Sequence, residues 1–491
     1  MPQISATVRS LPSLGKATFS AITRGDRVPY LGMASQHTRI RRGPALAVVG
    51  ITAFVLSVLL RIVVASTHPG SQWNMVDLSV YQGAGKDVAH HQSGLYSRRY
   101  GFLPLPYIYP PFPAFVFHEL GSLTFNQLEL LSAIVSIACL AAVSWASWGL
   151  LGYRATSGRL GAAAATAAVC LWLEPVTSTL TFGQINLLIM ALVMLDLAQS
   201  DRKWTKGVGV GLATAIKLTP GLFIVYLLLT RRIRAAIVAT GTFVAVSAGT
   251  WVLLPAASHE FWFHTIGVTP VGRDYLSNQS FEGMFLRLAG GSDSGAKLPW
   301  LICSLLMVVV GMACAALAAN RGAELLGLCV TSIVALAVSP ISWTNHWVWF
   351  VPLFVLALHS AIHSRHRWAP AWTVLGVIMV LAWPNRVSLA GVNDPNLPFA
   401  PRGLIWYLPQ TGKQEESWDP FQTIIGNGYL IAGVIFVAVA AYLEFQRLRA
   451  KQALGTTESE PSLVSESEPS PVSEPSVTSE STERETSVTT V

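Results

Sequence analysis

Long apolar runs separated by short basic loops recur from residue 45 to residue 443, and they constrain the fold more than any other feature. The first run, 45–65, is long enough to cross a bilayer as a helix. Only 12% of the residues are charged, and the mean hydropathy is +0.48. A soluble globular chain carries about twice that share of charge. The sequence therefore predicts an all-α integral membrane protein with about eleven or twelve transmembrane helices.

The distribution of charge predicts the orientation and the ends of the membrane domain. Three arginines just before the first run (Arg39, Arg41, Arg42) place that side in the cytoplasm. The polar segment 1–43 is expected to be a disordered cytoplasmic extension, and 44–446 the polytopic membrane domain. Segment 447–491 is rich in Ser, Pro and Glu, and from residue 455 it carries eight glutamates against one arginine. It is expected to be a disordered acidic cytoplasmic tail.

The stretch 207–230 is predicted to break into two half-helices hinged at Lys217-Leu218-Thr219-Pro220. A single span would place one of the flanking basic clusters, 202–203 or 231–234, on the outer side, whereas two half-helices keep both in the cytoplasm. Broken helices at membrane depth are tolerated where they line a cavity or are buried in protein. Lys217 at such a break either faces a partner or substrate, or extends to the interface.

The polar groups between the runs are expected to converge on the outer face. Asp77, flanked by Trp73 and Tyr81, either acts on a substrate at the lipid surface or caps a short helix. His346 either exchanges a proton or hydrogen bond with a phosphate, or satisfies a loop carbonyl. These two residues are the candidates for a base near neutral pH. Glu174 pairs with a lysine or takes part in function.

A cavity with one carboxylate, cationic side chains and aromatic platforms suits sugar transfer from a lipid-linked phosphosugar to a hydroxyl. The segment Asn278-Gln279-Ser280 is either a glycosylation sequon or a polar patch for sugar hydroxyls. A transporter also uses broken helices, but the sequence shows no internal repeat. No cofactor and no tightly bound metal are expected, because Asp77 and Glu174 make a poor metal cage. Nothing resembles a nucleic-acid motif, and the five cysteines, all within apolar runs, indicate packing residues.

Six motifs occur in chain order within this pattern. They are Asp77-Leu78-Ser79-Val80-Tyr81, Tyr109-Pro110-Pro111-Phe112, Glu174-Pro175 with Gly183-Gln184-Ile185-Asn186, Ile216-Lys217-Leu218-Thr219-Pro220, Asn278-Gln279-Ser280, and Ser339-Pro340-Ile341-Ser342-Trp343 with His346-Trp347. Over about residues 45–445 they resemble the PimE-like, polyprenyl-phosphate-mannose-dependent α-(1→2)-mannosyltransferases of mycobacterial-type cell envelopes.

The resemblance implies a glycosyltransferase fold of the C superfamily, with half-helices and extracytoplasmic loops. It implies a β-linked mannosyl phosphoryl polyprenol donor and inverting transfer at the outer face of the plasma membrane. The acceptor is a phosphatidylinositol mannoside, or the mannan of lipomannan or lipoarabinomannan. The essential aspartate of the family corresponds to Asp77 and a family histidine to His346. Relatives often have two adjacent histidines, whereas this chain has Asn345 first.

From the motifs and the resemblance we expect three groups of site residues. Asp77 and His346 are catalytic, one as the base and the other orienting the acceptor or the phosphate. Lys217 and Arg287 bind the donor phosphate. The sugar and acceptor contacts are assigned to Tyr81, Tyr109, Glu174, Gln184, Asn186, Asn278, Gln279 and Trp347. The alternatives are another polyprenyl-phosphate-sugar transferase, for arabinose or glucose, and a flippase of lipid-linked sugar.

Overall fold

The computed structural model describes residues 40, 43–67, 73–90, 94–266, 272–363, 376, 383–385 and 400–457. Helices dominate this part of the chain. The α-helices up to residue 229 are α1 Gly43–Thr67, α2 Val76–His90, α3 Pro111–Glu119, α4 Phe125–Leu150, α5 Ser157–Cys170, α6 Glu174–Phe182, α7 Asn186–Leu197, α8 Val208–Ile216 and α9 Leu222–Leu229.

The second half of the described chain continues the helical pattern. Its α-helices are α10 Ile233–Leu253, α11 Pro255–Glu260, α12 Phe281–Leu288, α13 Asp293–Asn320, α14 Glu324–Val338, α15 Phe350–His363, α16 Pro420–Gly426 and α17 Gly428–Thr457. Shorter 3₁₀ segments are Thr219–Gly221, Thr344–Trp349, Leu404–Tyr407 and Thr411–Ser417, and Phe261–Thr265 is a π-helical turn. Two antiparallel hairpins pair β1 Arg99–Tyr100 with β2 Leu105–Pro106, and β3 Trp383–Asn385 with β4 Ala400–Arg402.

Six of the described helices are long and apolar enough to cross a membrane, which confirms the predicted fold class. They are α1, α4, α10, α13, the segment Thr344–His363 that includes α15, and the Gly428–Ala450 part of α17. The bent pair α6 and α7 makes a seventh if it is one span. The expected eleven or twelve included stretches that form short helices, such as α5 and α14. The apolar stretch 368–383, which the sequence predicts as a further span, lies almost entirely outside the described residues.

Helix α1 packs mainly against α5, and glycine lets the two backbones touch. A Cβ on Gly50 would lie 2.1 Å from the carbonyl oxygen of Gly161, and one on Gly161 would lie 2.3 Å from that of Leu46. Helices in lipid gain no hydrophobic driving force for association. Small residues at such crossings allow the close packing that stabilises the contact instead. The rest of α1 presents a largely exposed apolar face, with Val48, Leu56 and Val63 each more than half exposed.

The helices that follow the first span begin where the sequence supplies a start signal. Pro111 occupies the first position of α3, where a missing N–H costs nothing. Thr124 and Gln127 form a capping box at the start of α4, since each side chain accepts a hydrogen bond from the other residue's backbone N–H. Helix α2 packs on α3 around the buried rings of Tyr81 and Tyr107, within a predicted outer loop that is thus largely ordered.

The predicted hinge at residue 217 is present. Helix α8 ends at Ile216, Lys217 is extended, and a 3₁₀ turn starting at Thr219 leads into α9. The basic clusters on either side lie together, because the Arg234 guanidinium donates to the carbonyl oxygen of Lys203 at 2.8 Å. Arg232 also approaches Asp201 within 3.4 Å. Both clusters are therefore on one side of the protein, as two half-helices require.

Helices α6 and α7 meet at a bend of 119° that the sequence analysis did not foresee. The chain reverses at Gly183, whose φ of +69° favours glycine. A Cβ there would also lie 2.6 Å from the Cβ of Leu78 on α2. The bend thus brings Gln184 against the helix that carries Asp77.

The chain divides into two compact units, Met1–Gln446 and Arg447–Val491. The expected extension 1–43 lies outside the described residues apart from 40 and 43. The tail was expected to be disordered from residue 447, but residues 447–457 are helical, because α17 ends only at Thr457. The remainder of that tail lies outside the described residues.

Candidate active site

Asp77 is the second residue of α2, and the segment before it is held by α6. The backbone N–H groups of Asn74 and Met75 both donate to the carbonyl oxygen of Thr181, at 3.1 and 2.8 Å. Met75 has a φ of +49°, an uncommon conformation for a non-glycine residue that these contacts maintain. Because α2 begins at Val76, Asp77 lies inside the helix and does not occupy the cap position. The structure therefore does not support an N-cap role for Asp77.

The Asp77 carboxylate accepts a hydrogen bond from the side chain of Gln184. The orientation of that amide is fixed from its other end, because Tyr81 and Tyr109 direct their hydroxyls at Gln184 Oε1, at 2.8 and 3.4 Å. The NH₂ group of Gln184 is therefore left to donate to Asp77. Two tyrosines and one amide together position the carboxylate.

Burial raises the pKa of the Asp77 carboxyl to about 6, although the hydrogen bond from Gln184 and the positive charge of Lys217 act in the opposite direction. A general base works best when its pKa lies near the operating pH. The Asp77 carboxylate is therefore poised to accept a proton near neutral pH.

Lys217 connects the Asp77 region with the loop after α14. Its Nζ lies 2.8 Å from Nε2 of His346, 3.5 Å from Oδ1 of Asn186 and 5.8 Å from the ring centroid of Tyr109. An ammonium group has only donors to offer, so His346 accepts at Nε2 and carries its proton on Nδ1. Burial lowers the pKa of Lys217 to about 7, against the attraction of the Asp77 carboxylate, so the contact pairs a neutral imidazole with a lysine that is charged below about pH 7.

The segment that carries His346 is anchored through its neighbour. The carbonyl oxygen of Asn345 accepts hydrogen bonds from Nδ2 of Asn186 at 3.0 Å and from the hydroxyl of Thr179 at 3.1 Å. The short 3₁₀ segment Thr344–Trp349 thus rests on the α6–α7 bend. The backbone of Asn345, next to His346, thus acts as a structural anchor.

A small, open pocket adjoins Lys217 and His346. Its polar lining residues are Asn186, Lys217, Thr219, Ser332, Ser342 and His346, and its apolar ones are Ile189, Pro220, Phe223, Ala335, Leu336, Val348 and Trp349. One cation with hydroxyl, amide and imidazole groups beside an apolar wall suits a ligand that has an anionic head and a lipid chain.

Glu174, a predicted sugar contact, is completely buried among protein donors. Its carboxylate accepts from the Ser178 hydroxyl at 2.6 Å, the Trp406 indole at 3.0 Å and the Tyr429 hydroxyl at 3.0 Å. Thr344 also contributes a hydrogen bond. The structure therefore places Glu174 where it joins α6 to the elements that follow residue 400.

The patch at 278–280 and Arg287 form a second cluster held by backbone. Nδ2 of Asn278 donates to the carbonyl oxygens of Arg273 and Pro340, and its Oδ1 accepts from the N–H of Ser342. Gln279 is similarly bound, at both ends of its amide. Arg287 donates to backbone carbonyl oxygens and to Asn427, and no contact with Lys217 or His346 is found in the described chain.

Trp347 is fully buried and packs on Phe350 and Tyr429. Of the expected site residues, the structure thus brings together Asp77, Tyr81, Tyr109, Gln184, Asn186, Lys217 and His346. Sequence reasoning missed Thr181, which holds the start of α2, and Ser342 in the pocket. Ser342 was inside a recognised motif, but Thr181 gave no signal beyond its position two residues before Gly183.

Known proteins are similar to this chain over most of its length. A model of glycosyltransferase family 87 matches residues 107–340. A polyprenol-phosphate-mannose-dependent alpha-(1-2)-phosphatidylinositol pentamannoside mannosyltransferase of Mycobacterium tuberculosis (strain CDC 1551 / Oshkosh) is 32% identical over 374 residues, which cover 74% of this chain and 83% of the relative. The chain belongs to glycosyltransferase family 87. It is therefore a membrane glycosyltransferase, and the resemblance found in the sequence is confirmed.

Two further relatives bear on the specificity of this family 87 enzyme. The enzyme of the same name from Mycolicibacterium smegmatis (strain ATCC 700084 / mc(2)155) is 34% identical, covering 67% of this chain and 82% of the relative. An alpha-(1->3)-arabinofuranosyltransferase of Corynebacterium glutamicum is 25% identical over 57% of this chain and 68% of its own. No solved structure matches the chain.

Proposed function

We propose that this glycosyltransferase moves mannose from a polyprenyl-phosphate-mannose donor to the 2-hydroxyl of a mannose on a lipid-anchored acceptor. The acceptor is a phosphatidylinositol mannoside or the mannan of lipomannan or lipoarabinomannan. The names of the relatives support the donor and the linkage. The observation that carries the proposal is the half-buried carboxylate of Asp77, coupled to the Lys217 cation beside a pocket with an apolar wall.

In the proposed reaction the acceptor oxygen attacks C1 of the donor mannose. The C1–O bond to phosphate breaks, polyprenyl phosphate leaves with that electron pair, and the hydroxyl proton passes to Asp77. A single displacement inverts the anomeric carbon, so a β-linked donor gives an α-linked product. Lys217 and His346 are assigned to the departing phosphate, whose negative charge grows as the bond breaks.

Asp77 is the better-supported base of the two candidates. Its pKa of about 6 suits proton acceptance near neutral pH. His346, in contrast, already accepts from Lys217 at Nε2. His346 is therefore assigned a positioning role toward the lysine and the phosphate. Tyr81, Tyr109 and Gln184 are proposed to hold the carboxylate, and Asn186 to hold both Lys217 and the His346 segment.

We place the reaction at the outer face of the plasma membrane. The paired basic clusters at 201–203 and 231–234 support a cytoplasmic location for the opposite face, because cytoplasmic loops are enriched in Lys and Arg. Labelling of single introduced cysteines from outside intact cells tests this orientation. A cysteine at Phe102 in the β1–β2 hairpin should react with a membrane-impermeant reagent, whereas one at Arg231 should not.

The test of function is transfer by the purified enzyme in lipid, with radiolabelled polyprenyl-phosphate-mannose and a phosphatidylinositol mannoside acceptor. The expected product carries one added mannose in α-(1→2) linkage, as shown by linkage analysis. Label that crosses the bilayer without forming a glycosidic bond would indicate a flippase instead. Because one relative transfers arabinofuranose, the same assay is run with a polyprenyl-phosphate-arabinose donor.

The acceptor is distinguished by lipid profiling of a strain that lacks the protein. Loss of one higher phosphatidylinositol mannoside, with accumulation of its precursor, identifies that glycolipid as the acceptor. Unchanged phosphatidylinositol mannosides with altered lipomannan or lipoarabinomannan identify the mannan instead.

A further inference from the structure

Ser342 lies between α14 and the 3₁₀ segment of His346, and its backbone is fixed on both sides. Its N–H donates to Oδ1 of Asn278 at 2.9 Å, and its carbonyl oxygen accepts from the N–H of Gln279 at 2.8 Å. The residue has no exposed surface. The amide residues first assigned to sugar hydroxyls thus hold Ser342 in place at the pocket.

The hydroxyl of Ser342 has no hydrogen-bond partner among the residues that the structure describes. A buried polar group without a partner costs free energy and is uncommon in folded proteins. Ser342 lines the same pocket as Lys217 and His346. Ser332 lines that pocket as well, but its hydroxyl donates to the carbonyl oxygen of Cys329 at 2.8 Å. The hydroxyl of Ser342 thus differs from that of Ser332, because its hydrogen has no acceptor in the described chain.

We propose that the hydroxyl of Ser342 donates a hydrogen bond to a phosphate oxygen of the polyprenyl-phosphate donor. The inference rests on the proposed function, because it takes its ligand from there. The pocket contains the cation that a phosphate needs, and Phe223, Leu336 and Trp349 supply an apolar wall for the first units of the lipid chain. A phosphate has more acceptor oxygens than Lys217 can satisfy alone, so a neutral donor completes the set.

The role predicts a stronger effect on the product than on the donor. The donor is a phosphodiester with one negative charge, whereas polyprenyl phosphate is a monoester that carries additional charge near neutral pH. A donor group aimed at the oxygen where charge develops stabilises the departing phosphate most. Removal of the hydroxyl should therefore weaken polyprenyl phosphate binding and lower kcat, while the KM for the acceptor stays the same.

The experiment measures binding of polyprenyl phosphate, without any sugar, to the full chain in lipid nanodiscs. Ser342→Ala should raise the Kd about tenfold, the low end for a hydrogen bond to a charged group. Polyprenol, which lacks the phosphate, should bind the wild type and Ser342→Ala equally. The matched control is Ser144→Ala, because Ser144 is also buried with a hydroxyl that has no partner in the described chain, but it does not line the pocket. Its Kd should change less than twofold.

Ser342→Cys guards against a folding defect, since it keeps the size of the side chain and offers only a weak donor. It should unfold at the same temperature as the wild type and bind polyprenyl phosphate almost as weakly as Ser342→Ala. An unchanged Kd in both variants overturns the proposal. Equal weakening toward polyprenol also overturns it, because the change would then reside in the pocket shape.

The binding assay separates this inference from the proposed function. A wild type that transfers no mannose, yet binds polyprenyl phosphate through Ser342, refutes the transferase specificity and supports the contact. Normal mannose transfer by Ser342→Ala, with unchanged phosphate binding, supports the transferase and refutes the contact.

Discussion

Two polar clusters lie close to the loop 339–347. They differ in how many hydrogen bonds their side chains make to other protein groups. The first, called here the reactive cluster, is Asp77, Gln184, Lys217 and His346. The second, called the scaffold cluster, is Glu174, Asn278, Gln279 and Arg287. The scaffold cluster, Gln184 and His346 are nearly inaccessible to solvent, whereas Asp77 and Lys217 are half-buried. In the scaffold cluster each side chain makes three or more hydrogen bonds to protein groups, whereas the described hydrogen bond of Asp77 is the one from Gln184.

The comparison teaches that burial alone does not identify a reactive group. A buried carboxylate surrounded by donors, as at Glu174, stabilises the fold and has little capacity left for a substrate. A half-buried carboxylate with one donor and a nearby cation, as at Asp77, keeps its acceptor capacity and has a raised pKa. Residues with unused hydrogen-bonding capacity beside a pocket are therefore the ones to test for catalysis.

The largest effect is expected for Asp77→Asn, which keeps the shape of the side chain and removes the base. The transfer rate should fall by about 10³-fold, within the range for a general base, while the unfolding temperature changes little. Initial rates with radiolabelled donor, combined with thermal unfolding in detergent, provide the measurement. Retention of a tenth or more of the wild-type rate would show that Asp77 is not the base.

The second largest effect is expected for Lys217→Met, which removes the cation beside His346. The rate should fall about 10²-fold, because the charge on the departing phosphate loses its main stabilising partner. The matched control is Lys206→Met. Lys206 is also buried, but its ammonium donates to the carbonyl oxygens of Leu197 and Gln199 and to Asp201. The control should lower the stability and leave the rate per folded molecule unchanged, and equal losses of rate in both variants would contradict the assignment.

Glu174→Ala tests the scaffold cluster. The change leaves the Trp406, Tyr429 and Ser178 donors without their acceptor, so the free energy of unfolding should fall by about 2 kcal/mol. Turnover per folded molecule should stay within about threefold of the wild type. Denaturant unfolding and activity normalised to folded protein give both numbers. A variant of normal stability that has lost turnover would instead indicate that Glu174 contacts the substrate, as the sequence motif predicts.

The pH dependence tests the protonation state of Asp77. With a pKa of about 6, the carboxylate is mostly ionised at pH 7.5 and about nine-tenths protonated at pH 5. The rate should therefore rise with pH through about 6, with a loss of about tenfold at pH 5, and fall again above about pH 7 as Lys217 loses its proton. The charged or titratable groups that face Asp77 are Lys217, Tyr81 and Tyr109. A rate that is flat between pH 5 and pH 7.5 would argue against a carboxylate base.

The smallest effect is expected for Tyr81→Phe, which removes one of the two hydroxyls that orient the amide of Gln184. The rate should fall about threefold, and the midpoint of the pH profile should move upward, because Gln184 donates less well to the carboxylate. Tyr107→Phe is the control, since its hydroxyl donates to the carbonyl oxygen of Pro110 and not to Gln184. A midpoint shift shared by both variants would remove the link through Gln184.

Local features were predictable from the sequence, and contacts across long separations were not. The apolar runs 128–150 and 235–254 predict the helices α4 and α10 within about three residues at each end. Such runs are reliable because lipid leaves the backbone few alternatives to a helix. The break after Ile216 followed from Pro220 and the flanking arginines. The saturation of Asn278 and Gln279, in contrast, depends on partners at residues 340 and 426, and no local pattern encodes those contacts.

The same distinction applies within the candidate site. Asp77, Lys217 and His346 were found from residue type and position, because a charge or an imidazole near a membrane boundary is costly. The bend at Gly183 was not predicted, because the sequence does not distinguish a glycine with a positive φ from a glycine in an ordinary loop. That bend decides that Gln184 contacts Asp77, so its positioning role became visible only in the structure.

The contact between Lys217 and His346 joins parts of the chain that leave the ribosome far apart in time. Lys217 is therefore synthesised well before its partner histidine. Until then the described partners of the lysine that already exist are the Asp77 carboxylate and the Asn186 amide. The lysine gains its contact with His346 only late in synthesis. A nascent chain arrested before residue 346 should therefore insert less stably than the finished protein.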